Sequence, residues 1–246
     1  MTGKIRKAVQ DDRLNVENKV QVWMSIDPHA ENHYSWSPYA YCSDNPLNKT
    51  DPDGKDDYFT PTGKYLGTDG DPDNNNIRIM TSDNFKTLTS GLDKNEYSAV
   101  ANMLQSSDAS TLFSGANMKD NSMLNVYQHY NSTGLPLEVN NDLGKNTAMQ
   151  SNLTTAEGKS VVQVNVEGNK NDSRHLYDNV NNVKNTFAHE KKHIDDFKKD
   201  PVGESKKSNA EKERNAIESQ KKDPTYKNTT DDYKDAVNQY GKQNGM

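Results

Sequence analysis

Residues 186–197 read Thr-Phe-Ala-His-Glu-Lys-Lys-His-Ile-Asp-Asp-Phe, and this stretch constrains the fold more than any other. In an α-helix, residues four apart share a face, so His189 and His193 point the same way while Glu190 stands one position along. Phe187, Ile194 and Phe197 supply apolar anchoring, and Lys191 and Lys192 fall at positions that can face solvent. The pattern predicts a helix held against a core, with two imidazoles presented together at its surface.

Two imidazoles in that arrangement suit a zinc ion, and an adjacent glutamate suits the general base that deprotonates a zinc-activated water. A third ligand must come from elsewhere. After a polar loop containing Asp200-Pro201 and Gly203, a second helical pattern runs from Asn209 to Lys222, and Glu204, Glu211, Glu213 and Glu218 all compete for the role. Residues 213, 216, 217 and 220 form one stripe, so Glu213 faces the packed side with Ala216, Ile217 and Gln220. Glu213 is the expected third ligand, with Glu211 in reserve. Asp195 and Asp196 are positioned either to orient a ligand imidazole or to serve as surface and capping groups.

Composition narrows the alternatives. With one cysteine, Cys42, the chain closes no internal disulfide and builds no cysteine-rich zinc site, so any metal must use histidines and carboxylates. Thirty Lys and Arg against 36 Asp and Glu leave a net charge of −6 with the signs mixed, which disfavours a general nucleic-acid binder. No window approaches the roughly 20 apolar residues of a membrane span, and Met1 to Gln10 lack the apolar run of a signal peptide, so no membrane span and no self-export signal are expected. Hydrophobic residues make up 30% of the chain, and its 31 asparagines suit long polar loops between packed elements.

Along the chain, Tyr58, Phe59, Tyr65, Leu66, Ile77 and Ile79 sit in short β-prone runs that predict a hairpin over residues 57–81. The acidic run Asp69, Asp71, Asp73 lacks the glycine and distal glutamate of an EF-hand loop and reads as a solvated turn. Leu92, Val100, Met103 and Leu104 predict one amphipathic helix. Met123, Val126, Tyr127 and Tyr130 predict another, with Ser122 as its N-cap. Leu135 to Val139 reads as a short strand. The run Val161, Val162, Val164, Val166 is the best strand in the chain. Tyr233, Ala236, Val237 and Tyr240 predict a closing helix after a Thr-Asp-Asp start.

Residues 23–54 differ in character, being rich in aromatics and turn dipeptides. Asp27-Pro28, Ser37 to Cys42, Asn45-Pro46 and Asp51 to Gly54 follow one another as in the end of the Rhs/YD-repeat-associated core, which this stretch resembles over about 35 residues. The resemblance implies that a variable C-terminal domain, often a toxin, follows Gly54. It also implies that the chain is secreted or delivered into a target cell as part of an Rhs-type system, with a cognate immunity protein as a possible partner.

The second half resembles the gluzincin class of zinc metallopeptidases, and more specifically the metallopeptidase toxin domains at the ends of Rhs proteins. That likeness assigns Zn2+ to His189, His193 and Glu213 and the general base to Glu190, with a protein or peptide as substrate. The chain departs from the class in having lysine before the second histidine and no Asn-Glu-x-x-x-Asp form of the later glutamate motif. The likeness further implies a sheet whose edge strand aligns the substrate, for which Val161 to Val166 is the candidate. An oxyanion donor is left open among His175, Tyr226 and Tyr233.

The expected architecture is therefore α+β: an Rhs-core-like, turn-rich β module over residues 1–56, a β-hairpin connector over 57–90, and a zincin-like metallopeptidase domain over 91–246. The competing expectation is a non-catalytic, Rhs-associated structural or partner-binding protein with a degenerate zincin-like domain.

Overall fold

The computed structural model describes residues 55–70, 75–144, 147–154 and 159–246. All of them lie within one compact unit, residues 53–246. The Rhs-like motifs between Asp27 and Gly54, and Asp71 and Asp73 of the acidic run, lie outside the described residues. What is described is a mixed α+β fold with two small sheets.

The three β-prone runs of residues 57–81 make three strands: β1 (Asp57–Phe59), β2 (Tyr65–Thr68) and β3 (Ile77–Ile79). β1 and β2 form the antiparallel hairpin, and β3 pairs parallel to β1. Gly63, in the turn between the first two, has φ +81, and a Cβ there would meet Ser122 O at 2.2 Å, so glycine is required on both counts. β4 (Thr111–Leu112) completes the order β2-β1-β3-β4. Asp69 opens no solvated turn: it is fully buried and accepts from the Tyr58 hydroxyl, the Gln105 amide and the Asp56 N–H.

Between β3 and β4, α1 (Ser82–Leu88) and α2 (Ala101–Leu104) are short. Leu92 stays outside any helix, and residues 94–100 wind as a 3-10 turn, so the predicted helix is confined to its last residues. The next helix, α3 (Asp120–Tyr130), starts earlier than its expected cap: Lys119 is the N-cap and Ser122 lies inside the first turn. Met123, Val126, Tyr127 and Tyr130 are buried as their spacing predicts.

The second sheet has β5 (Leu137–Val139), β6 (Met149–Asn152) and β7 (Val161–Val164) in the order β5-β7-β6. The expected edge strand is thus the central one. Val161, Val162 and Val164 are buried on both faces, the condition that produces a near-continuous apolar run. Val166 belongs instead to α4 (Val166–Lys170). The edges are β5 and β6, and the sequence of β6, Met-Gln-Ser-Asn, carries almost no apolar signal.

One core joins the two sheets: Phe59, Ile77 and Ile79 pack with Val162, Val164, Tyr127, Val183, Phe187 and Ile194. The last three stand on α5 (Val180–Lys199), the 20-residue helix predicted from residues 186–197. Its N-cap, Asn179, accepts from the N–H groups of Asn181 and Asn182. Asp200 ends it and caps α6 (Pro201–Lys206), with Pro201 in the first turn. The chain then returns as α7 (Asn209–Lys222), capped by Ser208, and closes with α8 (Asp231–Gln243), capped by Thr230. Leu176, Ile217, Tyr233 and Val237 form the small core under these last helices.

Candidate metal centre

Helix α5 buries two faces of different chemistry. Val180, Val183, Phe187 and Ile194 enter the main core. A second stripe, Asn182, Asn185, Thr186, His189 and His193, turns polar groups toward α7 and α8. Asn185 donates to the Gln220 carbonyl and to Thr225. Asn182 donates to the Leu176 carbonyl and to Thr230, and accepts from the Thr230 N–H. These buried asparagines satisfy backbone groups at the helix ends around them, while Asn185 Oδ1 is itself buried without a hydrogen-bond partner among the described residues. Contacts of residue 189 with 213 and of residue 185 with 220 fix α7 antiparallel to α5.

At the end of that stripe three donor groups converge. His189 Nε2 lies 3.1 Å from Glu213 Oε2 and 3.1 Å from His193 Nε2. His193 Nε2 lies 3.5 Å from Glu213 Oε1. Among the described residues, this is the group of His, Cys, Asp or Glu side chains whose ligand atoms all fall within 4.8 Å of one another. Donors about 2.0–2.1 Å from a tetrahedral zinc stand about 3.3 Å apart, so the spacing of the three groups fits that ion.

The electrostatics point the same way. Burial opposes ionisation of Glu213, yet hydrogen bonds from both imidazoles and their charge hold its carboxyl well below the usual range. Burial likewise opposes a charge on His189, and the hydrogen bond to Glu213 with the neighbouring Glu190 raises its pKa regardless. Three groups that share protons so tightly are groups from which a cation would displace protons.

Glu190 is buried, and its Oε2 accepts from the Ser151 hydroxyl at 2.6 Å. Ser151 stands on the edge strand β6, whose outer side carries no strand among the described residues. A groove of about 720 Å3 runs past this edge and reaches Glu190, His193, Glu213 and Tyr240. Tyr240 is partly exposed. Burial, the charge of Glu213 and a hydrogen bond to it hold its phenol well above the usual range, so it stays protonated as a donor.

The other expected participants stand outside the three-group cluster, although Glu204 also lines the groove. Asp195 and Asp196 pair with Lys191 and Lys192 on their own helix and orient no imidazole. His175 is mostly exposed and sits against Ser114 and Asp178, away from the groove. Tyr226 packs in the small core, and Tyr233 is buried with its hydroxyl on Gln220 and Thr186. Glu211 lies in the first turn of α7, Glu218 is exposed, and Glu204 is buried against Lys207.

Three residues of the centre escape the sequence reading as functional groups. Gln220, on the Glu213 stripe, faces His189 Nδ1 at 3.2 Å. Tyr240 shares a helical stripe with Tyr233 and Val237 that reads as packing alone. Ser151 belongs to a strand with no usable periodicity.

In comparisons with known proteins, no family model, no curated protein and no solved structure matches this chain.

Proposed function

We propose that the chain is a zinc-dependent endopeptidase with a zincin-like fold, acting as the C-terminal effector of an Rhs-type polymorphic toxin. The observation that carries the enzymatic reading is the convergence of His189 Nε2, His193 Nε2 and the Glu213 carboxylate beside a buried Glu190 at a groove bounded by β6, an edge strand among the described residues. The effector reading rests on the Rhs-like residues 27–54 preceding this domain.

Zinc held by His189, His193 and Glu213 would supply Lewis acidity toward a peptide carbonyl and lower the pKa of the attacking water. Glu190 does the proton work. Ser151 occupies its Oε2, leaving Oε1 to accept the proton from water and pass it to the leaving amine. Tyr240, protonated and facing Glu213, is positioned at the groove to donate to the developing oxyanion. The edge of β6 offers backbone N–H and C=O groups to an extended peptide, which favours polypeptide substrates.

Metal analysis after dialysis, beside a peptide-cleavage assay, tests this reading. One zinc per chain, lost in His189→Ala together with cleavage, is the expected result. A chain that retains no zinc at neutral pH would instead be a non-catalytic partner-binding domain. No helix among the described residues is long and apolar enough to cross a membrane.

A further inference from the structure

Behind the metal centre, three buried side chains link His189 to the backbone of its own helix. His189 Nδ1 faces Gln220 Oε1 at 3.2 Å, and Gln220 Nε2 donates to the Tyr233 hydroxyl at 2.9 Å. That hydroxyl lies 2.8 Å from Thr186 Oγ1, which donates to the Asn182 carbonyl at 2.9 Å.

The direction of every proton follows from the far end. A carbonyl oxygen only accepts, so the single hydroxyl proton of Thr186 is committed to Asn182 O. Thr186 Oγ1 can then only accept from Tyr233, whose proton is thereby assigned. Tyr233 Oη accepts in turn from Gln220, so the amide must present its nitrogen to the tyrosine and its oxygen to His189. An amide oxygen needs a donor, and His189 Nδ1 must carry a proton. We infer that Gln220, Tyr233 and Thr186 are positioning residues that keep a proton on His189 Nδ1, so that the proton His189 gives up, to a cation or on becoming neutral, is the one on Nε2 facing Glu213.

The lock has a direct use at a metal centre, because an imidazole binds a cation only through the nitrogen without a proton. Outer partners of this kind ordinarily are carboxylates or backbone carbonyls on the ligand itself. Here the anchor is one backbone carbonyl reached through three side chains from three helices, α7, α8 and α5. The same links tie those helices together at the centre, so packing and tautomer are set by one chain of bonds. As a statement about metal binding, this rests on the zinc reading above; as a statement about the proton on Nδ1, it does not.

Two-bond nitrogen–proton NMR spectra of the metal-free chain labelled in histidine, at an alkaline pH where both imidazoles are neutral, read the tautomer directly. The expected result is a protonated Nδ1 and a bare Nε2 on His189 in the parent and in Thr186→Ser, which keeps the hydroxyl. Tyr233→Phe removes the group that orients the amide and should produce a mixture of tautomers. Zinc affinity should fall about ten- to a hundredfold in Tyr233→Phe and stay close to the parent in Thr186→Ser. A parent His189 protonated on Nε2, or a Tyr233→Phe variant with the parent's tautomer, overturns the proton lock. A parent with the expected tautomer that binds no zinc overturns the metal reading and leaves the hydrogen-bond chain standing.

Discussion

The Ser151 hydroxyl donates to Glu190 Oε2 at 2.6 Å and so joins an edge strand to the helix that carries both histidines. This contact orients the carboxylate expected to move the proton, without touching the three groups expected to hold the metal. Ser151→Ala should therefore lower kcat about five- to thirtyfold, the equivalent of one charge-assisted hydrogen bond, while zinc content and KM stay near the parent values. Loss of zinc in this variant would mean that Ser151 supports the ligands.

The two glutamates of the centre should fail differently. Glu190→Gln keeps size and ligands but removes the base, so zinc remains bound while peptide hydrolysis falls by roughly two to four orders of magnitude. Glu213→Gln replaces an anionic ligand by a poor neutral one, so zinc affinity itself drops, and with it the stability that zinc binding contributes. Metal analysis after dialysis separates these cases. If Glu211→Gln loses zinc and Glu213→Gln retains it, the ligand assignment is wrong.

Far from the groove, Asp56 is fully buried between the Asn76 N–H and Arg78. Burial pushes its carboxyl up to about 6, against the opposing hydrogen bonds from Asn76 and Arg78. A folded-state pKa above the unfolded one means that the folded chain holds the extra proton between about pH 4 and 6. Its contribution to stability is greatest below about pH 4 and declines as pH rises through about 6, by up to about 3 kcal/mol. Carboxyl carbon NMR should find the Asp56 midpoint near 6, and a midpoint near 4 would contradict the burial argument.

Phe187 is fully buried in the core that both sheets share, two residues before His189. Phe187→Ala should cost about 3–5 kcal/mol in urea unfolding of the metal-free chain, through lost transfer energy and a cavity under α5. A loss under 1 kcal/mol would show that the helix is held mainly by its polar face.

Much of the centre is legible in residue order, because helical spacing is a local property. The i, i+4 relation puts His189 and His193 on one face, the stripe of residues 213, 216, 217 and 220 selects Glu213 over its neighbours, and caps and turns at Asp200-Pro201 and Thr230 delimit the helices. Tertiary structure alone decided the rest. Whether Val161–Val164 is central or at an edge depends on which strands flank it, and the polar edge strand β6 has no periodicity to betray it. Ser151 and Glu190, 39 residues apart, meet only because β6 packs against α5. The roles of Tyr233 and Tyr240 likewise divide by burial: one faces inward to Gln220 and Thr186, the other outward to Glu213 and the groove. Spacing along one helix is written in a single segment, whereas the partner across a contact is chosen by the packing of segments distant in sequence.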